Sequence, residues 1–398
     1  MVSKQKELNF EPGAAYMYSN TGFTLLAEVV ARVSGKSFSE FTQDRIFKPL
    51  GMVNSQFYDN HERIVKNRAY SYRQTRDGSY FKSVLSYANV GATSLFTTVE
   101  DMALWTVNLQ NPRVGSKQLI KKMNTPAKLN NGETFGGALG QFVNEHNGLN
   151  QIQHGGADAG YRAYVGRFPD QDFAVIVLSN HARFNPPRTA LSVADLYLNP
   201  LYEASPEASQ ADQPTFKKTD TNTLESYTND YWSMNGGFGV KVYVKNDTLI
   251  MARDGRPDKL GMIEKDEFQV ISARNSVLLK FSTKGKQQAL QVKIGDGEPI
   301  HFTPYKPTKY PLSNTNDYIG KYYSEELETF YDIVLEKGQL VAKHQRNDNM
   351  TLRPIMHDVF SMNQWFFDNI AFERDSNGKI TGFRVDNGRV KNLLFTKE

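Results

Sequence analysis

A repetition in the second half constrains this chain more than any other feature. Tyr227, Leu249, Phe268, Val292 and Phe302 stand in the same local settings as Tyr318, Leu340, Phe360, Val385 and Phe395, for example SYTNDYWS against DYIGKYYS and KDEFQV against HDVFSM. The offset is about 92 residues. That is too long for a solenoid unit and suits one small all-β domain per copy. Helical periodicity is missing here and short alternating runs replace it: FGVKVYV, TLIMAR, SVLLKF, ALQVKI, DIVLE and QLVAK. Alternation with period two buries one strand face and wets the other, so each copy is expected to curl into a small antiparallel barrel or sandwich. A barrel of this size holds an apolar ligand or is filled by its own side chains, and a filled interior is the expectation.

The first half follows different rules. Leu25, Leu26, Val29, Val30 and Val33 fall at helical spacing, and Gly35 stands where a C-terminal cap belongs. Ser37 can cap a second helix with Phe38, Phe41 and Ile46 as its apolar stripe, ended by KPLGM at 48–52. TTVEDMALWTVNL, 97–109, opens with a capping threonine and an acidic first turn. YRAYVGRFPDQDFAVIVLSN, 161–180, predicts two strands joined at Pro169-Asp170, the second so apolar that both its faces should be buried. PRTALSVADLYL, 187–198, suits a helix on that sheet. Composition then shifts to Pro, Ser, Ala and charge, which predicts a linker at 201–215 between a domain at 1–200 and β-domains at 216–305 and 306–398.

Charge and composition exclude several functions. Lys plus Arg number 47 against 43 Asp plus Glu, a net charge of +4, and no run of like charge is long enough to hold nucleic acid. The most basic stretch, Lys117 to Lys122, reads as the wet face of a helix. No cysteine is present, so disulfides and thiolate metal sites are excluded. No pair among His61, His146, His154, His181, His301, His344 and His357 has H-x-x-x-H spacing, and a metalloenzyme is not expected. MVSKQKELNFEPG has no apolar run behind its lysines, so it is no signal peptide, and no apolar stretch is long enough for a membrane span.

Two short motifs carry chemistry-bearing residues. In PGAAYMYSNTGFTLLAEVV, 12–30, Ser19 or Asn20 could simply cap the next helix with Tyr18 packed beside it. In QHGGADAGYRAYVG, 153–166, His154 precedes Gly155 and Gly156, where backbone can approach a ligand closely; alone, the motif is equally a turn with one surface histidine. Together, in this order and spacing, with GATSLFTTVEDMALW between them, they resemble the serine beta-lactamase-related hydrolases: class C beta-lactamases, DD-peptidases, D-aminopeptidases and esterases. The resemblance covers about residues 5–200. It implies an α+β fold, a partial beta-lactamase/transpeptidase-like domain of antiparallel sheet and helices followed by two small barrel-like, lipocalin-like β-domains. It implies that Tyr18 takes and returns the nucleophile's proton, that Asn20 hydrogen-bonds the active-site lysine and substrate, and that His154 occupies the third motif. Gly155, Gly156 and the Ala157 N–H would receive substrate and oxyanion. The expected substrate is an ester, amide, peptide or β-lactam, with no cofactor and with oligomers possible.

A serine hydroxyl needs a base within reach, and the charge growing on the carbonyl oxygen needs preorganised N–H donors. The family's nucleophile lies in an S-x-x-K motif many tens of residues before Y-x-N. Ser3-Lys4-Gln5-Lys6 fits the letters, but no apolar helix surrounds it, so Ser3 is not expected to be the nucleophile. Ser79-Tyr80-Phe81-Lys82 and Ser376-Asn377-Gly378-Lys379 follow Tyr18, out of the family's order. The expectation is therefore a hydrolase half without its nucleophile segment, a fragment or an inactive form, with an open sheet edge and exposed apolar surface. The alternative is a non-catalytic protein that binds a peptide or apolar ligand.

Overall fold

Capping decides where the helices of the first half begin. The computed structural model describes residues 2–5, 7–75, 77–202, 216–234, 236–253, 255–271, 276–284, 287–294, 299–364 and 366–398. In it α1 (Asn20–Ser34) starts at Ser19, whose hydroxyl oxygen accepts the Gly22 N–H, and stops at Gly35, whose φ of 68° only glycine adopts at little cost. The short α2 (Phe38–Thr42) opens on a capping box in which Ser37 and Glu40 satisfy each other's backbone N–H. α3 (Val99–Gln110) is capped by Thr98, α4 (Lys117–Met123) by Ser116 and α5 (Pro186–Leu198) by Asn185. Lys117, Lys121 and Lys122 are exposed on α4, the wet face expected there.

By its contacts the chain forms two compact units, Gly13–Asp212 and Met1–Pro12 with Gln213–Glu398. The first is built on four antiparallel strands in sequence order: β1 (Phe142–His146), β2 (Leu149–Asp158), β3 (Tyr161–Phe168) and β4 (Phe173–Ser179). Leu149, Phe168, Ala194 and Leu198 form the core between this sheet and α5. Two expectations need correction. β4 is not buried on both faces: Phe173 and Val175 turn to the α5 core, while Ala174 and Leu178 are exposed on the other face of an edge strand. The HGG motif is not a turn but the end of a ten-residue strand, because pairing along β3 overrides the low strand propensity of glycine. On α1, Ala27 is buried, whereas Leu25, Leu26, Val29 and Val33 stand exposed.

The predicted linker lies mostly outside the described residues, at 203–215. Beyond it the alternating pattern becomes closed sheet. Eight strands between Asn229 and Pro304 pair in sequence order, and the last returns to the first through Thr303↔Trp232 and Pro304↔Tyr231. A second sheet of nine strands runs between Gly320 and Lys397. Its two edges, Met350–Thr351 and Arg353–Met356, are separated in the chain only by Leu352, so this sheet too almost closes. Both interiors are filled by side chains, and all ten repeated residues are buried. The repetition extends to hydrogen bonds. Tyr227 donates to Asp266 at 2.9 Å and Tyr318 to Asp358 at 2.8 Å, while Tyr231 and Tyr322 donate back to the carbonyls of Tyr227 and Tyr318. The architecture is α+β, as expected.

Candidate active site

The Ser19 cap fixes the turn into α1, so Tyr18 lies just ahead of the helix and Asn20 is its first residue, with its side chain exposed. His154 lies in β2. The fold brings Tyr18 and His154 together: their ring centroids are 6.0 Å apart, tilted by 39°. His154 also stacks on Phe142 at 5.7 Å, Phe142 meets Tyr16 edge-on at 6.2 Å, and Tyr16 stacks on Phe135 at 4.2 Å. This row of rings holds the approach to α1 against β1 and β2. His154 Nδ1 lies 2.6 Å from the Gly155 carbonyl oxygen. A carbonyl only accepts, so Nδ1 carries a proton, and in the neutral tautomer that fits this contact Nε2 is the acceptor.

Beyond His154 one edge of β2 is open. β1 accompanies β2 from His146↔Leu149 to Phe142↔Gln153, whereas β3 continues to Asp158↔Tyr161. In an antiparallel ladder the backbone groups of alternate residues point to opposite sides. Leu149, Gln151 and Gln153 face β1, so Gly155 and Ala157 present N–H and C=O in that same direction, where among the described residues no strand follows. Neither glycine is required by the fold itself. Neither has a left-handed φ. A Cβ at Gly155 would come no nearer than 3.8 Å to Ala163 O, and one at Gly156 no nearer than 3.4 Å to Ala163 Cβ. Gly382 in the last β-domain is the contrast, for there a Cβ would reach 2.4 Å from Phe395 O. The surface at 155–157 is exposed, and packing does not account for its two glycines.

Charged residues belong to this strand pair. Arg167 of β3 is buried, and its Nη2 donates to Gln141 Oε1 at 2.6 Å and Asn124 Oδ1 at 3.2 Å; burial pushes the guanidinium below its usual pKa. At the end of β2, Asp158 accepts hydrogen bonds from the Tyr87 and Thr93 hydroxyls. Burial, and then the Asp158 carboxylate, push the Tyr87 phenol up to about 12. Tyr87 had no signal in the sequence, Thr93 had only its place in GATSLF, and Asp158 only its place in HGGAD. The three S-x-x-K serines stand in other settings. Ser3 is exposed in the three-residue turn Val2–Lys4, Ser79 in the turn of the hairpin Ser71–Gln74/Tyr80–Ser83, and Ser376 in the turn before Lys379. None heads an apolar helix. Among the described residues no cluster of three or more acidic or histidine side chains could hold a metal ion, and no helix is long and apolar enough to cross a membrane.

Residues 2–198 match the family described as Beta-lactamase. This half of the chain belongs to the beta-lactamase-related serine hydrolases. The D-aminopeptidase of Brucella anthropi is 22% identical over 409 aligned positions, covering 97% of this chain and 71% of that protein. The D-aminopeptidase of Gluconobacter oxydans is 23% identical over 181, covering 46% of this chain and 34% of its own length. An octameric penicillin-binding protein homologue from Pyrococcus abyssi aligns with a TM-score of 0.44 and 23% identity, over 74% of this chain and 66% of that one. The beta-lactamase-family half contains α1, the sheet and both motifs.

Proposed function

We propose that this chain belongs to a hydrolase that cleaves an amide or short peptide bearing a D-configured residue through an acyl-serine. The observation that carries the reading is the open β2 edge at Gly155–Ala157, lined by glycines that neither packing nor conformation requires, beside the Tyr18–His154 pair. The D-aminopeptidase relatives suggest the substrate class. The serine oxygen attacks the carbonyl carbon, Tyr18 takes its proton, and the Ala157 N–H receives the charge on the carbonyl oxygen. Tyr18 returns the proton to the departing amine as the C–N bond breaks, and water then hydrolyses the ester. Asn20 orients substrate, and Nε2 of His154 accepts a hydrogen bond from it or from the Tyr18 hydroxyl. The two β-domains are read as repeated lipocalin-like modules with filled interiors.

The settings of Ser3, Ser79 and Ser376 favour a second reading, in which this chain binds such a ligand without turning it over. Intact-mass analysis after fluorophosphonate treatment, run beside Ser3→Ala, separates the two: an adduct on any serine supports turnover by this chain, and none supports binding alone. No adduct is expected on these three serines. An adduct lost in Ser3→Ala would overturn that assignment and make Ser3 the nucleophile.

A further inference from the structure

His154, Gly156 and Asp158 project from one face of β2, because side chains two residues apart along a strand share a face. The first and last are about 13 Å apart along the strand, and Gly156 leaves the space between them without a side chain. Asp158 closes the far end. Its carboxylate is aimed by the Tyr87 hydroxyl on one oxygen and the Thr93 hydroxyl on the other. Two neutral donors fix the group but do not neutralise it, and among the described residues no Lys, Arg or His pairs with it. A carboxylate offers about four acceptor positions, so two remain. The residue is only partly buried.

We propose that Asp158 determines specificity by holding the free ammonium group of an amino-acid amide or peptide N-terminus whose carbonyl lies at the Ala157 N–H. The proposal rests on the acyl-transfer reading above and names the substrate class for that site. An ammonium placed there gains a charge-assisted hydrogen bond from an acceptor already oriented, and a substrate with a blocked amine gains nothing from it. The competing role for Asp158 is to tie the Tyr87–Thr93 segment to the end of β2.

Calorimetric titration of the full chain with D-alaninamide and with N-acetyl-D-alaninamide tests this. The unmodified protein should prefer the free amine by about tenfold or more. Asp158→Asn should remove the preference without weakening the acetylated ligand. Tyr87→Phe removes the tie but keeps the charge, so the preference should survive. Tyr87→Lys places a cation against the carboxylate and should abolish the preference, which decides the matter if Asp158→Asn does not fold. Equal affinity of the two ligands for the unmodified chain, or no binding of either, overturns the proposal, as does a preference that persists without the Asp158 charge. Fluorophosphonate labelling reports only on the serine and amine preference only on Asp158, so each reading can fail alone.

Discussion

Asp358→Asn tests the energetics of the repeat, because, among the described residues, an arginine joins the tyrosine–aspartate pair in the second copy only. In the first copy Asp266 accepts from the Tyr227 hydroxyl at 2.9 Å. In the second, Asp358 accepts from Tyr318 at 2.8 Å and also takes two bonds from Arg374, at Oδ2 from Nε and at Oδ1 from Nη2, both 2.9 Å. The Asp358 and Arg374 side chains are only 16% and 19% exposed. Breaking a fully buried ion pair costs about 3–5 kcal/mol. Here Arg374 keeps Asp317 at 3.1 Å and some solvent, so about 2 kcal/mol is expected. Asp266→Asn replaces a carboxylate that accepts from one neutral hydroxyl by an amide that can still accept, and should cost about 1 kcal/mol or less. Burial alone would raise the Asp358 pKa, but the bonds from Arg374 and Tyr318 outweigh it, and the folded value lies below the ordinary 3.8. A depressed folded pKa contributes stability that is complete above the unfolded value and fades as pH falls through the folded one. The gap between wild type and Asp358→Asn, measured by urea unfolding followed by near-UV circular dichroism, should therefore be constant from about pH 7 to pH 5 and shrink below about pH 4. Equal costs for Asp358→Asn and Asp266→Asn would refute the reasoning.

Gly156→Ala should leave the melting temperature nearly unchanged, within about 0.5 kcal/mol, yet weaken D-alaninamide binding; a large loss of stability would show that the glycine serves packing. Gly382→Ala, by contrast, forces a Cβ into the Phe395 carbonyl and should cost about 1–3 kcal/mol in calorimetry. The exposed apolar face of α1 predicts binding of a hydrophobic dye that falls in the double variant Leu26→Lys, Val29→Lys without loss of helix; a wild-type chain that binds no dye would contradict it.

Local rules made much of this chain legible. Ser19, Ser37 and Thr98 satisfy helix N–H groups within three residues, so helix starts follow from neighbours along the chain. The β-domain cores were equally open to reading, because period-two alternation repeated at a fixed offset identifies the same buried positions in both copies. Pairing across the chain was not legible. That His154–Asp158 forms a strand depends on its alignment with Tyr161–Val165, and that β4 has a wet face depends on which side α5 covers. The meeting of Tyr18 with His154 depends on a row of rings distant in sequence. The hold of Tyr87 and Thr93 on Asp158 had no precursor in the sequence. Sequence by itself determined the local elements, the repeat and the family; tertiary structure alone decided which backbone edge stays open and which carboxylate stands beside it, because those follow from closing long loops onto one sheet.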